Sequence, residues 1–486
     1  MREGNGGERP GGGGGGGGGG RAGPPPGGGK GRQAVSYDDF LSRKIKTLAP
    51  AGFAVDPSVS ALFPFQRDIV RWAIRRGRAA IFASTGLGKT RMQLAWADAV
   101  RRETGGSVLI LAPLAVVQQT VAEGREIGVE VSTEYGADGI VATNYDRLHH
   151  VDPARFVGVV LDESSIIKHH EAKTLSLLIE SFARTPYRLA CTATPAPNDW
   201  TELGTHAEFL GVCSRSEMLA EYFVHDGGET QTWRLKGHAR EAFWKWVASW
   251  GALVSHPRDL GYEETGYDLP QLQVIQCVVA SGVLDGELFA IEANTLSERR
   301  AARRESIERR VAVASQIVAT KPDAPWVVWC DLNDESSAIT KAIPGAVEIR
   351  GSTDRDEKEK ALLDFAAGRI RVLVTKPSIA GFGLNWQHCA DVVFVGVTDS
   401  WEAYYQAVRR CWRFGQSRAV VVHVVTSESE GAVVANLKRK DADAKAMGQT
   451  LAKETAAIVR AEITGAIRSR NTYGANQEVR TPSWLK

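Results

Sequence analysis

No run of about 18 apolar residues occurs in the chain, so the sequence offers no membrane-spanning helix. An apolar segment of signal-peptide type is missing as well, and the expectation is a cytoplasmic protein. Paired cysteines are also lacking. Cys191, Cys213, Cys277, Cys330, Cys389 and Cys411 are scattered, and none forms Cys-x-x-Cys. That excludes the common zinc spacing and argues against a disulfide framework. Several lie in apolar runs, where a buried free thiol is the plain reading. Charge of one sign is missing too: 59 Lys and Arg face 57 Asp and Glu, for a net of +2. A nucleic-acid surface would therefore have to be a local patch. With 24% charged and 43% apolar residues, the composition is that of a soluble globular protein, and 486 residues leave room for roughly three domains.

Glycine is plentiful but unevenly spread. Residues 1–35 contain Gly11 to Gly20 unbroken and Pro24-Pro25-Pro26. Such a stretch has too little apolar surface to offset its ordering entropy, which predicts a disordered tail. Its few basic residues give a solvated tail or a loose nucleic-acid contact.

The densest chemistry lies in Ala83-Ser84-Thr85-Gly86-Leu87-Gly88-Lys89-Thr90. A short apolar run precedes it and a helical pattern, Met92-Gln93-Leu94-Ala95-Trp96, follows. Strand, glycine loop and helix N-terminus form a phosphate cradle. Lys89 would reach the terminal phosphates, and the Thr90 hydroxyl would hold Mg²⁺. The general pattern has Gly where Ala83 stands.

Upstream, Leu62-Phe63-Pro64-Phe65-Gln66 leads into a helix started by Pro64. Downstream, apolar runs alternate with helical patterns: Ala80–Ala83, Val108–Pro113, Ile140–Asn144, Val157–Asp162 and Arg188–Thr194. This alternation predicts a parallel sheet covered on both faces, with ligands at the carboxyl ends of its strands. Two ends stand out. Asp162-Glu163 closes an apolar strand; alone it is a solvated turn, but beside a phosphate loop it suits Mg²⁺ and the attacking water. Thr192-Ala193-Thr194-Pro195 offers hydroxyls that could sense phosphate, or a plain strand end.

Residues 205–268 break the alternation and read as a helical insertion. Phe243, Trp246, Val247 and Trp250 share one helix face, core packing before base stacking. A second series follows: Gln271–Ala280, Trp326–Cys330, Ala346–Ile349, Val372–Val374, Asp391–Val397 and Val420–Val425. Between its first two runs, Arg299, Arg300, Arg303, Arg304, Arg309 and Arg310 lie on a predicted long helix, as a solvated face or a phosphate stripe. Ile379-Ala380-Gly381-Phe382-Gly383-Leu384-Asn385 is a tight loop. After it come Gln406-Ala407 and Arg410 and Arg413, three apart on one face; arginines of a second domain can reach across a cleft to a γ-phosphate. Residues 431–486 hold ten Lys or Arg and five Asp or Glu, a local net of +5, with a helix expected over Ala444 to Ala466.

Together these segments resemble superfamily 2 helicases and translocases, and among them the Swi/Snf-like DNA-dependent ATPases. The resemblance runs from about Leu62 to Val425 in the family's motif order. Leu62–Trp72 is similar to the adenine-contacting segment, with Gln66 as reader. Gly86 to Thr90 matches Gly-x-Gly-Lys-Thr. Ala112-Pro113-Leu114 and Thr143-Asn144-Tyr145 resemble strand ends that contact nucleic-acid backbone. Asp162-Glu163-Ser164-Ser165-Ile166-Ile167-Lys168 resembles Asp-Glu-Ala/Gly-His-x-x-Lys, with Lys168 pointing to the Swi/Snf branch and Ser165 where the family has His. Thr192-Ala193-Thr194-Pro195 with Asn198 and Glu202-Leu203, Gly381–Asn385, and Gln406 to Gln416 match later motifs.

What the resemblance implies is an α/β protein with two tandem RecA-like P-loop NTPase domains. The boundaries expected are a tail at 1–35, an ATP-binding domain at 36–204, the insertion at 205–268, a helicase C-terminal domain at 269–430 and a basic helical extension at 431–486. The cofactors implied are ATP and Mg²⁺. Lys89, Asp162, Glu163, Arg410 and Arg413 would be catalytic. Gln66, Gly86, Gly88, Lys89, Thr90, Gly383 and Gln406 would bind the nucleotide, and Thr90 and Asp162 the metal. Pro113, Thr143, Asn144, Thr192 and Asn385 would face nucleic acid. Double-stranded DNA is the expected partner, with RNA or single-stranded DNA as rivals, and no membrane. The expected activity is ATP-driven translocation by a compact enzyme of prokaryotic or phage type; the rivals are a strand-separating helicase and a scaffold without turnover. No nuclease, methyltransferase or sequence-specific DNA-reading motif stands out.

Overall fold

The computed structural model describes residues 49–165, 172–196, 199–225, 233–263, 266–280, 304, 306–380, 385–398 and 400–463. The expected tail, Lys168, Asn198, Gly383, Arg299, Arg300, Arg303 and the end of the chain lie outside these residues.

Two parallel sheets carry the fold. Mostly apolar, buried runs form the strands β1 (Arg78–Ala83), β2 (Ser107–Ala112), β4 (Ile140–Asn144), β5 (Phe156–Asp162) and β6 (Tyr187–Thr192), and a half-buried pair forms β3 (Val131–Ser132). A short antiparallel hairpin, β7 (Phe223–His225) with β8 (Trp233–Leu235), precedes β9 (Gly251–Val254). The first sheet has the order β3-β4-β2-β5-β6-β1-β9, all parallel. Along β1, Ala79, Ile81 and Ala83 enter one core and Ala80 and Phe82 the other, so helices cover both faces.

The second sheet contains β10 (Leu272–Val279), β11 (Trp326–Cys330), β12 (Ala346–Glu348), β13 (Val372–Thr375), β14 (Asp391–Val395) and β15 (Val420–Ser427), in the order β10-β15-β14-β11-β13-β12. It too has a core on each face: Val327 and Trp329 point to one, Val328 and Cys330 to the other. These are RecA-like parallel sheets layered by helices, as expected.

The expected helical insertion at 205–268 needs correcting. Gly251–Val254 pairs with β1 from Ala80 to Ala83 and is the seventh strand of the first sheet. Phe243, Trp246, Val247 and Trp250 are buried in that sheet's core, as their spacing suggested. The strand was hidden because four residues directly after a Trp-rich helix carry no periodicity of their own.

Of the described arginines of the stripe, Arg304 and Arg309 are exposed, as on a solvated face, and Arg310 departs from it. Arg310 is fully buried and pairs with Glu335 at 2.7 Å, with its Nη1 also donating to the Val395 carbonyl at 2.9 Å. It is neither solvated nor placed to touch phosphate.

The basic extension forms one helix, Gly431–Ile463, longer toward its N-terminus than expected. Val433, Val434 and Leu437 pack into a core of the second sheet. Toward its C-terminus, Val459 and Ile463 pack into a core of the first. Glu462 accepts from the Trp72 indole at 3.1 Å and pairs with Arg76. The helix therefore straps one sheet domain to the other.

Candidate functional site

The carboxyl ends of β1 and β5 face Arg410 and Arg413 across a cavity of about 290 Å³. Its lining includes Gln66, Gly86, Gly88, Lys89, Thr90, Asp162 and Glu163 from the first sheet's side and Asn385, Arg410 and Arg413 from the second's. Residues expected to act together from two distant parts of the sequence thus line one cavity.

The phosphate loop is built by backbone geometry. Gly86 has φ 95° and Gly88 φ 77°, a left-handed conformation that glycine adopts without strain. Gly88 caps the helix Lys89–Thr104 and aims its N-terminus into the cavity. Any side chain at Gly88 would also strike the Gln66 amide. Lys89 Nζ donates to the Ala83 carbonyl at 2.9 Å.

Gln66 uses half of its amide on the protein. Its Oε1 accepts from Phe63 N at 3.0 Å, and its Nε2 donates to the Leu87 carbonyl at 2.9 Å. One N–H and one lone pair are left. Phe63, Tyr267 and Phe414 line the same end; Tyr267 stands edge-on to Phe63 at 6.0 Å and 4.6 Å from the Phe414 ring.

At the acidic strand end, Asp162 and Glu163 are both buried. Gln93, one turn beyond Lys89, donates to Asp162 Oδ1 at 2.6 Å, and the Tyr145 hydroxyl donates to the Asp162 carbonyl at 2.8 Å. Burial raises the Asp162 carboxyl to about 6; the neighbouring Glu163 charge adds to this, while Gln93 and Lys89 oppose it. A bound divalent cation would favour the ionised form. Glu163 is the single non-glycine with positive φ, 49°, among the described residues. Backbone strain of that kind gathers at functional sites. The next residue, Ser164, meets His206 Nε2 at 3.0 Å beneath the sheet edge.

From the other side, Arg410 donates through Nε to the Gln406 carbonyl at 3.2 Å and through Nη2 to Gln406 Oε1 at 3.4 Å. Burial lowers the pKa of Arg410, with Glu163 and Asp162 opposing. Arg413 is pushed down to about 9 by burial, with Arg410 adding to the effect. Its Nε has no hydrogen-bond partner among the described residues, and neither does the buried Thr85 Oγ1. Two arginines and Lys89 thus face a cavity whose own carboxylates are Asp162, Glu163 and an Arg91-paired Glu123. Desolvated cations, an unused N–H and two left-handed glycines fit a polyphosphate. Thr90 and Asp162 lie on the same wall and fit its magnesium ion.

Several expected residues fall elsewhere. Gln406 does not line the cavity; it is buried and holds Arg410. Thr192, expected at nucleic acid, is fully buried, with its hydroxyl 3.4 Å from Glu163 Oε2. Thr192 ends β6, a strand inside the first sheet, whereas Gln406 lies on the helix Trp401–Val408 behind Arg410. Asn385 lines the cavity and is exposed. Thr143 and Asn144 are buried at the end of β4, and Pro113, half-buried, precedes the helix Leu114–Glu126. None of these three lines the cavity. Gln93, Tyr267 and His206 carried no role in the sequence reading, and Tyr145 and Phe414 entered it only as members of matched motifs. Only Gln93 had a readable signal, its position one helical turn after Lys89.

Comparison with known proteins gives three likenesses. Residues 310–415 match the family described as Helicase conserved C-terminal domain. The ATP-dependent RNA helicase FAL1 of Kluyveromyces lactis is 23% identical over 194 residues, covering 35% of this chain and 48% of that protein. The chain thus spans about half the length of this curated relative. The Sulfolobus solfataricus SWI2/SNF2 ATPase core in complex with dsDNA is 18% identical and covers 85% of this chain and 99% of that chain, with a TM-score of 0.39, too low to bear on function. The family match falls on the second sheet domain and includes Arg410 and Arg413, in accord with the superfamily 2 resemblance of the motifs.

Proposed function

We propose that the chain hydrolyses ATP between its two sheet domains and uses the cycle to move along nucleic acid, with duplex DNA as the track. The observation that carries this reading is the shared cavity, where Lys89, Thr90, Asp162 and Glu163 of one domain meet Arg410 and Arg413 of the other. Lys89, the Gly86–Gly88 backbone and Thr85 would hold the phosphates, and Thr90 and Asp162 the magnesium ion. ATP supplies the phosphoanhydride bond whose cleavage releases free energy. Glu163, held beside Asp162, orients the attacking water and accepts its proton. Arg410 and Arg413 offset negative charge that grows on the transferring phosphoryl oxygens. Because they come from the second domain, hydrolysis requires both domains in place, and that requirement supports coupling to movement.

Gln66 supports adenine as the base. Its spare N–H and lone pair match an edge that offers an acceptor beside a donor, as adenine does at N7 and N6; guanine offers two acceptors there. Duplex DNA rests on the motif resemblance to the Swi/Snf-like branch. A second reading, an RNA-stimulated helicase, is favoured by the relative named as an RNA helicase.

The test is Glu163→Gln. Nucleotide binding should survive while turnover falls by a factor of about 10² to 10⁴, the contribution of a positioned general base. Retained turnover would remove Glu163 from the mechanism.

A further inference from the structure

Among the described residues, a hydrogen bond between side chains that do not line the cavity also joins the two domains. Thr194 lies two residues past the end of β6. Its hydroxyl donates to Glu402 Oε1 of the second domain at 3.1 Å, and both side chains are buried. On the first-domain side, Thr194 N donates to Thr192 Oγ1 at 3.1 Å, and Thr192 Oγ1 lies 3.4 Å from Glu163 Oε2. On the second-domain side, Glu402 sits in the first turn of the helix Trp401–Val408, which Ser400 caps through Ala403 N at 3.2 Å. One turn further along that helix is Gln406, whose amide and carbonyl hold Arg410. A contiguous path therefore runs from Glu163 through Thr192, Thr194 and Glu402 to Gln406 and Arg410.

We propose that Thr194 and Glu402 form a positioning pair that holds Arg410 in register with Glu163, so that the water-activating carboxylate and the charge-stabilising arginine are in place together. The inference rests on the ATP-hydrolysis reading above. Neither residue lines the nucleotide cavity, so the pair acts on turnover rather than on nucleotide affinity. Its chemistry also explains the burial. A carboxylate taken out of water needs a donor, and the Thr194 hydroxyl supplies one only when the domains are seated. Opening the interface returns Glu402 to solvent and breaks the path.

A double-mutant cycle on the full chain tests this, because coupling is demonstrated only by non-additivity. ATP hydrolysis is measured for Thr194→Val, Glu402→Ala and the double variant, each with and without duplex DNA. Each single variant should lower kcat about tenfold with KM for ATP unchanged, and the double variant should be no worse than either single. Thr194→Ser and Glu402→Gln, which keep a donor and an acceptor, should restore most of the lost kcat. A merely structural role would lower the thermal transition and would not be rescued in this pattern. Wild-type kcat in the single variants, or additive losses, overturns the proposal. If wild-type hydrolysis occurs without stimulation by DNA, the translocation reading fails, and the cycle is read on basal kcat with the same criteria. If the wild-type chain does not hydrolyse ATP, the hydrolysis reading and this inference fall together.

Discussion

A Cβ on Gly86 would come within 2.9 Å of Phe414 N, so the phosphate loop of the first domain lies against the arginine-bearing segment of the second. Gly86 is thus constrained twice, by its φ of 95° and by a neighbour from the other domain. Gly86→Ala should strain the loop by about 1–2 kcal/mol and hold the arginine segment away from it. Turnover should fall further than nucleotide affinity, checked by steady-state kinetics beside calorimetric titration of ATP. An unchanged kcat would mean that the contact is not part of the working geometry.

Base choice is read from Gln66. Removing the amide in Gln66→Ala should raise KM for ATP about tenfold or more and narrow the preference for ATP over GTP, since a site built to hydrogen-bond loses its discrimination with the partner. Competition of GTP against ATP in both proteins checks this. An ATP preference that persists in Gln66→Ala would assign base reading to other groups.

The strapping helix should contribute to stability through its far end. Ile463 is 2% exposed within a core of the first sheet. Ile463→Ala should cost about 2–3 kcal/mol there and lower the first thermal transition by several degrees. A melt identical to wild type would show that the end of the helix is not docked in solution.

Much of this architecture was legible because parallel strands are buried on both faces and so read as unbroken apolar runs. Trp326–Cys330 and Ile140–Asn144 coincide with their predicted runs to the residue. Gly251–Val254 was not legible, since a four-residue strand gains its identity only by pairing with β1. Arg310 misled for a related reason. Its neighbours in sequence are charged, whereas Glu335, which neutralises it, arrives from another helix. At the site, Lys89 and Asp162 could be read because their chemistry is tied to local spacing. For Thr192 the strand-end position suggested a hydroxyl that could sense phosphate and the resemblance a place at nucleic acid; its hydroxyl lies 3.4 Å from Glu163 Oε2. Glu402 and Tyr267 gave no signal, because their roles exist only where separate segments meet.

The measurement that bears most directly on the central claim is ATP hydrolysis by the purified full chain, alone and with duplex DNA, single-stranded DNA or RNA, with Lys89→Ala as the blank. The account predicts turnover that duplex DNA stimulates and that Lys89→Ala abolishes. Stimulation by RNA or single strands alone would contradict the duplex track and favour the helicase reading. Equal turnover in Lys89→Ala, or none on any polymer, would contradict ATP hydrolysis at this cavity.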